Sequence, residues 1–206
     1  MKILVVAATQ MELAKAYEHF NLPKHNFVET LDFDILITGV GMTATAFALG
    51  KHLGSNYNFV LNVGIAGSFD KHIQLGSLVN IETDIFAELG AEDHENFVTI
   101  NQLGFGENTF SSSYQFDGLP KVKAITVNKV HGNAASIAKA LTYFKPQTES
   151  MEGASVFYAC QMSNIKCLQV RAISNYVTPR NKENWKIGLA IDNLNKWLID
   201  FIEGKL

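Results

Sequence analysis

The 206 residues are 47% apolar and 18% charged, with 14 Phe, 15 Gly and only 4 Pro, a balance that excludes disorder and supplies enough apolar surface for one sizeable core. The net charge of −3 arises from 17 basic and 20 acidic residues of mixed sign along the chain, so there is no basic stripe to displace counterions from a nucleic acid. No apolar run approaches the roughly 20 residues that span a bilayer. Neither nucleic acid nor membrane is therefore expected as a partner, and a cytoplasmic location is expected.

In chain order, residues 3–7 read as a buried first strand rather than a signal peptide, because a polar helix start follows at once. Residues 10–20 read as a helix opened by Glu12. A strand at 34–38 runs into Thr38-Gly39-Val40-Gly41 and a helix over 43–53. Another at 59–63 runs into a second glycine-rich turn, Gly64-Ile65-Ala66-Gly67-Ser68. Strands at 77–85 and 122–127 precede a helix over 133–143. A short strand then leads to Glu152, a helix over 153–162 and a strand at 167–173. The last helix, 183–202, repeats Ile187, Ala190, Ile191, Leu194, Leu198, Ile199 and Ile202 at three- and four-residue steps.

Several strands are apolar without alternation, as expected where both faces are covered. Strands alternating with helices predict an α/β fold, one domain over residues 1–206, with a mixed, mostly parallel central sheet flanked by helices. In such sheets ligands bind beyond the carboxyl ends of strands. Candidate residues therefore lie at 9–12, 38–42, 64–68, 127–133, 149–152 and 174–180.

The two cysteines, Cys160 and Cys167, form no Cys-x-x-Cys pair and read as buried free thiols. The six histidines contain no His-x-x-x-His pair, and His94 sits in a run of acidic residues that suits a solvated loop. No metal and no cofactor are expected. Neither glycine-rich turn is a Walker loop, and Ala44 interrupts a Gly-x-Gly-x-x-Gly pattern.

Three side chains carry candidate chemistry. Glu12 fits either a helix-start carboxylate favoured by the macrodipole or a general base that activates water. Glu152 fits either a helix N-terminal carboxylate or an acceptor for a pair of sugar hydroxyls, since an ionised carboxylate accepts from two donors. Asn175 fits a turn or cap, or a donor and acceptor held side by side. That second arrangement matches a 6-oxopurine protonated at N7.

Together these segments resemble the purine nucleoside phosphorylase/nucleosidase superfamily over nearly the whole chain, residues 3–202. The carriers are Ala7-Ala8-Thr9-Gln10-Met11-Glu12, Thr38-Gly39-Val40-Gly41, Asn62-Val63-Gly64-Ile65-Ala66-Gly67, Ser150-Met151-Glu152-Gly153-Ala154 and Arg171-Ala172-Ile173-Ser174-Asn175. Within it, the stretch bearing Asn175, Arg180 and Trp185 looks most like the futalosine hydrolases. The resemblance implies a nucleoside phosphorylase-like fold and hydrolysis of the N-glycosidic bond of futalosine in menaquinone biosynthesis, releasing hypoxanthine and dehypoxanthine futalosine.

It also implies roles. Glu12 would activate the attacking water, Glu152 with Met151 would hold the ribose, and Asn175 would face N7. Ile65, Ala66 and Gly67 would lie near ribose and water, and Val130 would border the base. Arg180 is a candidate for the carboxylate of the substrate's 5′ tail, with Phe105, Phe110, Tyr114 and Phe116 either lining the tail's slot or packing in the core. A small nucleoside and a second copy of the chain, as a homodimer or higher oligomer, are the implied partners.

The related methylthioadenosine/S-adenosylhomocysteine nucleosidases carry Asp where this chain has Asn175, which implies a 6-oxopurine here rather than adenine. The only two arginines, Arg171 and Arg180, lie in the last quarter of the chain. Superfamily phosphorylases bind phosphate with arginines from earlier loops, so water is the favoured nucleophile. A purine nucleosidase or phosphorylase, a methylthioadenosine/S-adenosylhomocysteine nucleosidase, and a non-catalytic nucleoside-binding protein are the alternatives.

Overall fold

A computed structural model describes residues 2–114 and 116–205. Strand β1 (Ile3–Ala7) leads through a 3-10 turn, Gln10–Leu13, into α1 (Ala14–His19). The hairpin of β2 (Phe27–Glu29) and β3 (Phe33–Ile37) precedes α2 (Met42–His52), β4 (Phe59–Ser68) and β5 (Leu78–Phe86). A separate hairpin, β6 (Gly90–Asp93) and β7 (Asn96–Thr99), is followed by β8 (Thr109–Ser111) and β9 (Lys121–Thr126). Then come α3 (Ala134–Phe144), β10 (Thr148–Ser150), α4 (Gly153–Met162), β11 (Lys166–Tyr176) and α5 (Ile187–Ile202).

Among the described residues nine strands form one mixed sheet in the order β10-β9-β5-β11-β4-β1-β3-β2, with β8 attached to β5. β1 runs parallel to β3 and β4, and β11 runs parallel to β4. β11 is antiparallel to β5, as β2 is to β3. The short β10 pairs with both β9 and β4, so β4, β11, β5, β9 and β10 close into a ring.

The two-residue period of a strand explains the cover on each face. Val5 and Ala7 turn to a core completed by Leu13 and Ala16 on one side of the sheet, with Ala190, Leu194 and Trp197 of α5. Leu4 and Val6 turn to the opposite core, with Leu49 of α2 and Val156, Phe157 and Cys160 of α4. Strands sandwiched in this way have no reason to alternate apolar with polar residues. Cys160 and Cys167 are buried and free. No described helix is long and apolar enough to cross a membrane.

The structure departs from the sequence expectations in several places. Residues 64–68 are not a turn: they continue β4, paired with β11 from Gly64↔Arg171 to Ser68↔Tyr176. For the same reason Asn175 lies inside β11, after a bulge between Ile173 and Asn175, rather than in a turn. The first helix divides into the 3-10 turn and α1, and α5 begins at Ile187, preceded by a 3-10 turn at Lys182–Asn184.

Of the aromatic residues considered for the tail slot, Phe110 is buried against Phe86 and Tyr158. Tyr114 packs on Phe59, and Phe116 on Trp197 and Phe201. Phe105 is exposed. None of the four lines the cavity described next, because the core claims three of them.

Candidate active site

The strand ends at β1, β4, β10 and β11 surround a cavity of about 350 Å³, within the range of small-molecule sites. Glu12, Ile65, Ala66, Gly67, Val130, Met151, Glu152, Asn175 and Arg180 all line it, together with Trp185. Residues as far apart in the chain as Glu12 and Trp185 are thereby brought to one place.

Glu12 is buried, and its carboxylate accepts three hydrogen bonds. Its Oε2 accepts hydrogen bonds from the Thr9 backbone N–H at 3.0 Å and the Thr9 hydroxyl at 3.1 Å. The Thr9 hydroxyl accepts in return from the Glu12 N–H, which completes a capping box on the 3-10 turn. Oε1 accepts from the Ile65 N–H at 3.1 Å. Glu12 is thus both the helix-start carboxylate and a cavity wall. Asn195 of α5 ties this segment down, donating to the Glu12 carbonyl at 2.8 Å and accepting from the Ala16 N–H of α1 at 2.9 Å.

Glu152 occupies the N-cap position of α4, yet its side chain does not cap the helix. It crosses to α2, where Oε1 accepts from the Gly41 N–H at 2.9 Å. Burial raises its pKa above the ordinary carboxylate value, an effect opposed by the Gly41 bond and the charge of Arg171 and reinforced by the charge of Glu12.

Beneath both carboxylates lies Arg171, only 2% exposed. Its Nη1 donates to Asn62 Oδ1 and its Nη2 to Gln169 Oε1, while Nε has no partner among the described residues. Burial lowers its pKa; Glu152, Glu12 and Asp84 oppose that shift. Arg171 shares a second, nearly closed pocket with Glu12, Gly64 and Glu152, which places one positive charge under two negative ones. Its side-chain setting was not legible in the sequence, where Arg171 is merely a residue of a strand.

Asn175 is oriented by its neighbours. The Ser174 hydroxyl donates to Oδ1 at 2.8 Å, and Nδ2 donates to the Tyr176 carbonyl at 3.2 Å. The amide retains a second lone pair and a second N–H for a ligand. Gly67 makes room for it: a Cβ there would sit 3.2 Å from Nδ2 and 2.9 Å from the Val177 side chain.

On the other flank of Gly67, Glu149 is buried and holds His131 by two bonds, a pairing with no sequence signal. The His131 N–H donates to Oε1 at 3.0 Å, and Nδ1 lies 2.6 Å from Oε2. Arg180 stacks on Trp185, its guanidinium carbon 5.4 Å from the ring centre, a cation–π contact. Among the described residues Arg180 is the one arginine or lysine lining the cavity, and no cluster of three or more His, Cys, Asp or Glu suited to a metal ion is found.

A family model for the phosphorylase superfamily matches residues 2–202. A futalosine hydrolase of Streptomyces coelicolor is 33% identical over 174 residues, covering 77% of this chain and 74% of the relative. A futalosine hydrolase of Thermus thermophilus is 25% identical over 174 residues, covering 79% and 77%. Among solved structures, futalosine hydrolase of Helicobacter pylori matches with a TM-score of 0.83 at 16% identity, covering 100% of this chain and 98% of that one. A 5′-methylthioadenosine/S-adenosylhomocysteine nucleosidase from Colwellia psychrerythraea, in complex with adenine, matches with a TM-score of 0.79 at 19% identity, covering 98% and 95%. At these identities the structural matches establish the shared fold.

Proposed function

The chain belongs to the phosphorylase superfamily and within it to the futalosine hydrolases, and from that premise we propose that it cleaves futalosine to hypoxanthine and dehypoxanthine futalosine, serving menaquinone biosynthesis. It is a hydrolase of N-glycosidic bonds. The observation that carries the substrate reading is the convergence of Glu12, Glu152 and Asn175 on one cavity beside the similarity to curated futalosine hydrolases.

In the proposed reaction the C1′–N9 bond breaks as the ribose gains oxocarbenium character, by analogy with other glycoside hydrolysis. The electron pair passes into the purine, which takes up a proton from solvent at N7. Water adds its oxygen to C1′ and gives a proton to Glu12, which later returns it to solvent. Glu152, ionised, accepts from the 2′- and 3′-hydroxyls beside Met151. Asn175 accepts from N7–H through Oδ1 and donates to O6 through Nδ2, and its preorganisation by Ser174 removes reorganisation cost at the moment of cleavage. Ile65, Ala66 and Gly67 bound the ribose and water, and Val130 borders the base.

Water rather than phosphate is the nucleophile. Arg171 is sealed beneath the carboxylates, and Ile65 presents an apolar side chain where a phosphate would need donors. Arg180 receives the carboxylate of the 5′ tail. We also take the molecule to be one domain acting as a homodimer or higher oligomer in the cytoplasm.

Incubation with futalosine, aminofutalosine, inosine and methylthioadenosine in phosphate-free buffer, with base release followed by chromatography, tests this function. Hypoxanthine from futalosine is the expected result. Release that requires added phosphate, or adenine release in preference to hypoxanthine, would overturn it.

A further inference from the structure

The row formed by Glu149, Gly67 and Asn175 runs across three neighbouring strands. Glu149 pairs with Gly67 in the β10–β4 ladder, and Asn175 pairs with Gly67 in the β11–β4 ladder. Residues at paired positions project from the same face of a sheet. The missing side chain at Gly67 leaves a slot whose two walls are the Asn175 amide and the Glu149–His131 pair. A Cβ at Gly67 would touch both walls, lying 3.2 Å from Asn175 Nδ2 and 3.6 Å from Glu149 Cγ. Two strand spacings separate the walls, roughly 9–10 Å between backbones, a gap suited to the edge of one planar heterocycle.

The proposed reaction uses Asn175 but leaves the opposite wall without a task. Glu149 is only 3% exposed, and both its oxygens are committed to His131, one to the backbone N–H and one to Nδ1. In a neutral imidazole, an acceptor-only carboxylate facing Nδ1 places the proton on Nδ1. Nε2 is then an acceptor. It has no hydrogen-bond partner among the described residues, and His131 lines the cavity.

We propose that His131, oriented by Glu149, reads the N1 edge of the base and selects 6-oxopurines by accepting a hydrogen bond from N1–H. The proposal rests on the assignment of the Asn175 cavity to the base. Hypoxanthine carries a donor at N1 and adenine an acceptor, so an Nε2 lone pair attracts the first and opposes the second. Asn175 and His131 together then address N7, O6 and N1, the whole edge on which the two bases differ. A site built to pair with a substrate N–H rejects an analogue lacking it far more strongly than an apolar pocket does, because its own polar group is left unpaired. His131 is the specificity-determining residue and Glu149 a positioning residue.

The two substitutions have different signatures. His131→Phe keeps a ring and removes the acceptor. It is expected to lower kcat/KM for futalosine by about 10- to 100-fold while changing aminofutalosine by less than about threefold. Glu149→Gln retains an oxygen for the His131 N–H and turns an amide N–H toward Nδ1, which drives the imidazole proton to Nε2. A donor at Nε2 matches adenine N1. This variant is expected to shift selectivity toward aminofutalosine beyond the level reached by His131→Phe, a change of sign that lost packing does not produce.

The test measures kcat/KM for both substrates on wild-type, H131F and E149Q protein, with melting curves as a fold control. A second measurement needs no variant: calorimetric binding to wild-type protein of hypoxanthine and of its analogue with C–H in place of N1–H. The analogue is expected to bind at least 10-fold more weakly. Unchanged selectivity in folded variants, or equal affinity for the two bases, would overturn the role of His131 while leaving the hydrolase reading intact. Failure of the hydrolase reading looks different, since wild-type protein would then release no hypoxanthine from futalosine.

Discussion

A single methyl group on Gly64 would lie 2.9 Å from Oε1 of Glu12, closer than a carbon can approach a carboxylate oxygen without displacement, and 3.3 Å from Nη1 of Arg171. The glycine is what allows strand β4 to run directly under the Glu12 carboxylate. Gly64→Ala is expected to reduce turnover by at least tenfold while the protein still folds, because Glu12 must shift away from the Ile65 N–H. Kinetics alongside a melting curve check this, and unaltered turnover would show that the Glu12 position is not critical.

Glu12 itself gives the strongest expected effect. Glu12→Gln keeps the size of the side chain and an acceptor for the Ile65 N–H but cannot take a proton from water. General-base catalysis of this kind contributes about 10²–10⁴-fold, and a loss of that order in kcat is expected. Single-turnover base release measures it.

Asn175→Asp is expected to raise adenine release relative to hypoxanthine. Nδ2 now donates to the Tyr176 carbonyl, so the carboxyl that replaces the amide must keep a proton on that side or lose the contact. A protonated carboxyl can relay a proton to N7 and accept from an exocyclic amine, which the amide cannot. Competition between futalosine and aminofutalosine reads the change. An unaltered product ratio would remove Asn175 from base choice.

The raised pKa of Glu152 makes stability and activity respond to pH in opposite directions. Because the folded-state pKa lies above the unfolded one, the protonated form is favoured by folding, and that contribution is lost as pH rises through the folded value. The ionised form is the one proposed to hold the ribose. Glu152→Gln is therefore expected to raise the melting temperature near neutral pH and flatten its dependence between about pH 4 and the raised folded pKa, while KM for futalosine increases. Thermal melts across that range and kinetics at neutral pH check both halves.

Arg180 is open to a test that leaves cleavage chemistry aside. If it holds the tail carboxylate, Arg180→Met is expected to raise KM for futalosine about 10-fold or more, the scale of a lost charge-assisted hydrogen bond. Inosine has no such tail and is expected to respond little. Equal effects on both would reassign Arg180 to the wall of the base site.

Much of this architecture was legible in the chain, for identifiable reasons. The central strands announce themselves because sheets covered on both faces select continuous apolar runs, as in β1. Helix α5 announces itself through the spacing of Ala190, Leu194 and Leu198. The edge strand β2 and the hairpin β6–β7 were missed: they are short, and β6 is exposed throughout, so burial stamps little pattern on them. Gly64 and Gly67 read as punctuation, whereas in β4 they provide space for neighbouring side chains. The nine residues expected at the site, all of which line the cavity, could be named mostly because their motifs resemble a family. The Glu149–His131 pair and the burial of Arg171 could not, since each depends on which strands lie side by side.

That dependence bears on how base preference can be altered by design. The two walls around Gly67 belong to β10 and β11, and a slip of one residue in β10 would turn Glu149 to the opposite face of the sheet. Selectivity of this kind is stored in backbone registration as much as in side-chain identity. Grafting Glu149 and His131 onto a relative with a differently phased β10 would transfer the residues without the preference, whereas exchanging the whole segment from β9 through β11 would carry both.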